Sequence, residues 1–215
     1  MITHALRLTA LLLLIGFSPS LVWGLSIGQR DTFEDGTTNG WTVGLNIGTG
    51  GPGGADDNFL QLTGGPASQL VALNSAQWSG NFIAAGVSSI AMDVKNLGEV
   101  GLSLRLVFSD AGGNVAFSTV PQFLPVGPGW ISIVLPTTVA DLTAESGSVV
   151  AALQNATRLR IYHGVDPEFP GDPVDGALGV DNITATPEPT SVVLLGSGLL
   201  ALYSLKTWRG RKPRA

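Results

Sequence analysis

The sequence predicts an all-β protein: a single β-sandwich (jelly-roll-like) domain flanked by an N-terminal signal peptide helix and a C-terminal hydrophobic helix. Three observations lead there. Between about residues 28 and 185 apolar and polar residues alternate in short runs with a period of two. Glycine and proline, 29 and 13 of 215 residues, punctuate those runs. The long uncharged apolar runs stand only at the two ends of the chain.

Residues 1–24 have the three parts of a secretory signal. Arg7 is the basic start, Leu8 to Phe17 is the apolar run, and Ser18-Pro19-Ser20 breaks the helix ahead of the small residue Gly24. Residues 25–186 form the body. Ile90, Met92 and Val94 alternate with Ala91, Asp93 and Lys95, and Leu102, Leu104, Leu106 and Phe108 alternate with Ser103, Arg105 and Ser109 around Val107. Ile131, Ile133 and Leu135 follow the same rule, as do Leu159 and Ile161 between Arg158 and Arg160. Shorter strands are predicted at 41–46, 58–63, 69–73, 114–119 and 177–185, and one short helix at 147–155. Asp35-Gly36, Asn39-Gly40, Ala111-Gly112-Gly113-Asn114 and Gly127-Pro128-Gly129 are the turns between them. Nine or more short strands with glycine-rich turns and no fixed repeat fit a sandwich rather than a helical bundle or a parallel sheet.

Charge excludes one class of partner. Residues 25–188 carry five basic side chains against all sixteen acids, whereas residues 189–215 carry five basic side chains and no acid. An acidic body repels phosphate backbones, so nucleic acid is not its partner. With no cysteine, disulfides, thiol catalysis and thiolate zinc sites are excluded as well.

Residues 187–215 are the most specific stretch. Pro187-Glu188-Pro189 precedes the uncharged run Ser191–Leu205, which contains Gly196 and Gly198, and a tail with Lys206, Arg209, Arg211, Lys212 and Arg214 follows. Fifteen helical residues rise about 22 Å, short for a permanent span of a hydrocarbon core about 30 Å thick. Cations beyond the run hold that side cytoplasmic and place the body outside. This ending resembles the PEP-CTERM sorting signal of Gram-negative bacteria. The resemblance implies that Pro187, Glu188 and Pro189 are a processing motif and that an exosortase is the processing partner. It also implies that the C-terminal helix holds the precursor in the inner membrane until processing, and that the mature protein serves an exopolysaccharide or biofilm matrix. Thr186, where the family often has valine, and the opening Lys206-Thr207-Trp208-Arg209 depart from the pattern.

The body carries a second resemblance. Asp31-Thr32-Phe33-Glu34-Asp35-Gly36 through Trp41, and Leu178-Gly179-Val180-Asp181-Asn182-Ile183, look like the first and last strands of galactose-binding-like and carbohydrate-binding-module jelly rolls. The resemblance implies a structural calcium between those strands, with Glu34 and Asp181 as its ligands. Calcium takes six to eight oxygens, which carboxylates in loops supply if the terminal strands pair. A loop with Asp166, Glu168, Asp172 and Asp175 among three prolines either gathers a cation or stays solvated. Sugar binding needs exposed aromatic platforms; Trp41 and Trp130 are the candidates, and Trp130 is out of phase with Ile131 and Ile133.

Catalysis finds little to work with. The body holds one histidine, His163, read as facing solvent or bonded to a loop, and no Gly-x-Ser-x-Gly or His-Glu-x-x-His motif occurs. Gly48–Gly54 lacks the lysine and helix of a phosphate loop and is read as a turn. The expectation is therefore not an enzyme but an exported carbohydrate-binding or adhesive module. A structural surface protein without a ligand, and then a glycosidase, are the alternatives.

Overall fold

The computed structural model describes residues 24–127 and 129–187. In chain order its strands are β1 (Arg30–Asp31), β2 (Trp41–Thr42), β3 (Leu45–Ile47), β4 (Phe59–Thr63), β5 (Val71–Asn74), β6 (Ser89–Asn96) and β7 (Leu102–Ser109). There follow β8 (Val115–Ser118), β9 (Gln122–Leu124), β10 (Ile131–Pro136), β11 (Leu142–Ser146), β12 (Arg158–His163) and β13 (Ala177–Thr186). A 3-10 turn spans Val139–Asp141, and the helix α1 spans Val149–Gln154, with Ser148 accepting a capping bond from the Ala151 amide.

The strands form two antiparallel sheets. One runs β10-β6-β13-β4-β3, with β1 also on β13; the other runs β11-β8-β7-β12-β5-β2, with β9 also on β7. Alternation decides which face meets the core. Ile90, Met92 and Val94 of β6 and Leu178 and Val180 of β13 point inward from the first sheet. Leu102, Leu104, Leu106 and Phe108 of β7 and Leu159 and Ile161 of β12 meet them from the second. Phe82 packs edge-on against Phe108, with ring centroids 4.8 Å apart, and closes one end of this core. The predicted two-layer sandwich is the observed fold.

Two features position the candidate site. The first and last strands pair, with Asp31 opposite Ile183. β13 also carries a bulge: its register against β6 runs Asp181↔Asp93 and then Thr184↔Ala91, one extra residue on the β13 side. Asn182 takes up that residue with a left-handed φ of 55°. β4 pairs with β13 up to Val180, and β1 begins at Ile183, so the bulge lies in the gap between these two neighbours.

The predicted short helix is present. Val139–Asp141 and the strands β1, β9 and β11 have no counterpart in the alternation pattern. Among the described residues no helix is long and apolar enough to cross a membrane. Residues 1–23, in which a signal peptide is predicted, together with Glu188, Pro189 and the apolar and basic segments after them, lie outside the described residues.

Candidate functional site

Carboxylates gather on the outer face of the first sheet, around the β13 bulge. Asp181 is fully buried there, yet only one of its oxygens is used: Oδ1 accepts from the Asn182 amide at 2.6 Å, while Oδ2 has no hydrogen-bond partner. Burial pushes its carboxyl from the ordinary 3.8 up to about 7, and the negative charges of Asp57, Glu34 and Asp93 push the same way. Asp93 itself is satisfied, accepting from Asn182 Nδ2 at 2.7 Å and Ser132 Oγ at 2.5 Å.

Glu34 and Asp57 reach this region from two loop ends. Phe33 is fully buried with a φ of 61°, a conformation that costs a phenylalanine free energy. It is held because its carbonyl accepts from the Gly36 amide and from the side-chain amides of Asn46 and Asn58. The turn brings Glu34 round so that its Oε1 accepts from the Asn58 amide at 3.0 Å. Asp57 precedes β4 and accepts from the Gly53 amide at 2.5 Å. A Cβ at Gly51 would stand 2.4 Å from Asp57 Oδ2, so only glycine fits there.

An oxygen that is buried, unpartnered and under the negative potential of three other carboxylates suits a cation. Among the described residues, however, no three carboxylates or imidazoles converge closely enough to form a metal ligand group by themselves. A calcium shell at Asp181 therefore needs main-chain carbonyls and water beside the carboxylates. Asp57 belongs to this cluster and is a residue the alternation pattern misses; its only signal is the run Asp56-Asp57-Asn58 just ahead of a strand.

The two tryptophans predicted as platforms have other positions. Trp41 is 2 % exposed; its indole N–H and that of Trp78 both donate to Asp31 Oδ2, at 2.7 and 2.6 Å. Trp41 is thus a core residue and offers no face to a ligand. Trp130 is half-buried on the outer face of the first sheet. It meets Phe59 edge-on at 5.2 Å, stands over Gly179, and donates from Nε1 to the Gly50 carbonyl at 3.0 Å. It braces the Gly48–Gly54 turn above the carboxylates.

His163 is a correction. It is buried, and its Nδ1 accepts from the Ser103 amide at 3.0 Å, while burial lowers its affinity for a proton. This imidazole holds two strands together and does not face solvent. The acidic loop after it is also tied down: Val165 donates to Asp172, Tyr162 Oη donates to the Glu168 carbonyl, and Phe169 stands edge-on to Tyr162 under the Arg160 guanidinium.

A cleft of about 960 Å³ opens beside β1. Gln29, Arg30, Asp35, Thr37, Asn39 and Gln77 line it, with the buried Asp31 in its wall. Amides, a guanidinium and carboxylates at this density suit a ligand rich in hydroxyl groups, and the volume is within the range of small-ligand sites.

No protein-family model matches the chain, and no curated protein matches it. Solved structures do. An exo-β-agarase matches with a TM-score of 0.54 at 15 % identity over 76 % of this chain, and a second agarase with 0.52 at 10 % identity over 76 %. The chain spans only 26 % and 24 % of the lengths of those two proteins. The module CtCBM11, studied in solution, matches with a TM-score of 0.50 at 14 % identity, covering 76 % of this chain and 97 % of that one. At these identities the likeness is one of fold.

Proposed function

We propose that the chain is an exported bacterial carbohydrate-binding protein of the cell surface or extracellular matrix, whose body is a non-catalytic module. One observation carries the reading: the sandwich corresponds to nearly the whole of CtCBM11 and to a minor part of each agarase, the size relation of a binding module to an enzyme. The cleft along β1 is the glycan site, with Arg30 and Asp35 as its exposed charged groups. Affinity electrophoresis through gels containing single soluble polysaccharides, agarose among them, tests it. At least one gel retards the protein, and Arg30→Ala with Asp35→Ala removes the retardation in protein that circular dichroism shows to be folded. Migration unaffected by every polysaccharide, with self-association in solution, favours the purely structural alternative.

Calcium is the second part of the reading. Asp181, with Glu34 or Asp57 and with main-chain carbonyls and water completing the shell, holds it, and its charge neutralises Asp181 and ties the loop ahead of β4 to the β13 bulge. The third part is delivery. Residues 1–24 direct export, an exosortase recognises Pro187-Glu188-Pro189, and the apolar run after the motif keeps the precursor in the inner membrane until then. Its support is the order of motif, apolar run and basic tail in the sequence. An exosortase deletion strain that yields a mature protein of unchanged mass and retention overturns this part.

A further inference from the structure

The body is hydrogen-bonded up to the residue before Pro187. The Thr186 carbonyl accepts from the Ser88 amide, and its hydroxyl meets Ser89 Oγ at 2.6 Å. The chain thus leaves the sandwich at a fixed point, the end of β13. From Thr186 to Ser191, where the uncharged run begins, is five residue steps. Fully extended they reach about 17 Å, less than the length of about 26 Å of an eight-residue strand such as β6. Whatever holds residues 191–205 therefore lies against this end of the body and no other.

The surface around the exit is apolar. Across the end of the first sheet the order is β10, β6, β13, β1. Thr137, after β10, donates to the Ser88 carbonyl, and Gly28, before β1, donates to the Ala185 carbonyl. Thr186 is thus flanked on both sides within a width of about 14 Å, three strand spacings. Three large apolar side chains are exposed on these flanks: Ile27 at 49 %, Ile83 at 44 % and Val139 at 45 %. Ile27 lies against Gly86, whose Cβ position is 3.4 Å from Ile27 Cδ1, and the Gly86 amide donates to the Ile83 carbonyl. The segments that carry them, Gly24–Gln29, Ser79–Ser88 and Pro136–Ala140, contain no charged residue; Arg30 and Asp141 follow the first and the last of them.

We propose that Ile27, Ile83 and Val139 form a membrane-contact collar, by which the end of the sandwich rests on the lipid interface that the C-terminal run enters. The inference rests on residues 191–205 being membrane-embedded. Exposed apolar side chains gain by entering the headgroup–acyl boundary, and the one carboxylate beside the collar, that of Asp141, is engaged by the Thr138 hydroxyl, which limits its repulsion from anionic lipids. A short tether and an apolar collar make the body stand on the membrane rather than swing above it.

The chain has no cysteine, so a single introduced cysteine is a unique label. Full-length Ile83→Cys, Val139→Cys and Glu99→Cys proteins, each carrying an environment-sensitive fluorophore, are reconstituted into phosphatidylethanolamine–phosphatidylglycerol vesicles. Glu99 follows β6 at the strand's opposite end from Ser89. Flotation reads the anchoring separately. The expected result is blue-shifted emission at 83 and 139, with at least about twofold more quenching by interfacial spin-labelled lipid than at 99. Vesicle-bound protein with all three labels equally water-exposed overturns the collar and leaves the anchor standing. Blue shifts that grow with protein concentration and resist lipid quenching overturn it in favour of a second copy. Protein that fails to float overturns the anchor and the collar together.

Discussion

The indole nitrogens of Trp41 and Trp78 converge on one oxygen of the carboxylate between them, with their rings 6.2 Å apart and tilted by 47°. That carboxylate, Asp31, is 5 % exposed, and Gln77 Nε2 donates to it as well, at 3.2 Å. Burial raises its proton affinity, while the donors around it act the other way. The pair joins the first strand to the wall of the cleft.

Asp31→Ala removes the acceptor and leaves two buried N–H groups unpaired. The expected cost is about 3 kcal/mol of unfolding free energy, since each orphaned group costs about 1–3 kcal/mol. Asn in its place keeps an acceptor and costs less. Urea unfolding followed by tryptophan fluorescence measures both, and equal losses in the two variants refute the shared-acceptor account.

Asp181 gives a pH dependence with a definite sign. Its carboxyl titrates at about 7 in the fold against 3.8 ordinarily, so across that interval the folded state holds a proton that the unfolded state has lost. Stability of the metal-free protein therefore falls as pH rises from about 4 to about 7 and levels off above it. Calcium binding expels the proton, so the calcium-induced rise in melting temperature grows over the same interval. Calorimetry in buffers of different ionisation enthalpy shows the proton release below pH 7. Asp181→Asn abolishes the rise while folding as well as the metal-free parent; a calcium effect that survives this substitution rules the site out.

Arg105 is buried on the outer face of the second sheet and donates to four main-chain carbonyls, those of Ser118, Thr119, Gly164 and Val165. It fixes the start of the loop between β12 and β13 to the neighbouring strand end. Arg105→Met loses about 3 kcal/mol by leaving buried carbonyls unpaired, and lysine restores little because it lacks the planar fork. Limited proteolysis cuts the variant within residues 164–176 first. If cleavage begins elsewhere, the arginine is not what secures that loop.

The long strands were legible because geometry imposes their pattern. Leu102, Leu104, Leu106 and Phe108 share one face of β7, and its partner β12 repeats the rule. β1 was not legible: it has two residues, and its inward one is a charged side chain stabilised by tryptophans far along the chain. β11 buries only Leu142 and exposes its other four residues, and β9 exposes Phe123, so neither shows an apolar face to read. The candidate site divides in the same way. The motifs around Glu34 and Asp181 were named from the sequence, but the pairing of β1 with β13 beside them, and Asp57 joining Asp181, appear only in the fold. Trp130 could be placed opposite Ile131 by phase, but its bond to the Gly50 carbonyl crosses eighty residues.

β13 occupies the middle of the first sheet, with β6 on one side and β4 and β1 on the other, yet it is the last strand of the body in the sequence. Synthesis proceeds from the N-terminus, so β1, β4 and β6 all emerge before the strand that joins them exists. Until residue 186 is free, β4 and β1 lack their common partner and the sheet stays open along its centre. Closure of the first sheet thus waits on the C-terminal end of the body, and a chain stopped short of it lacks the strand that joins β6 to β4 and β1.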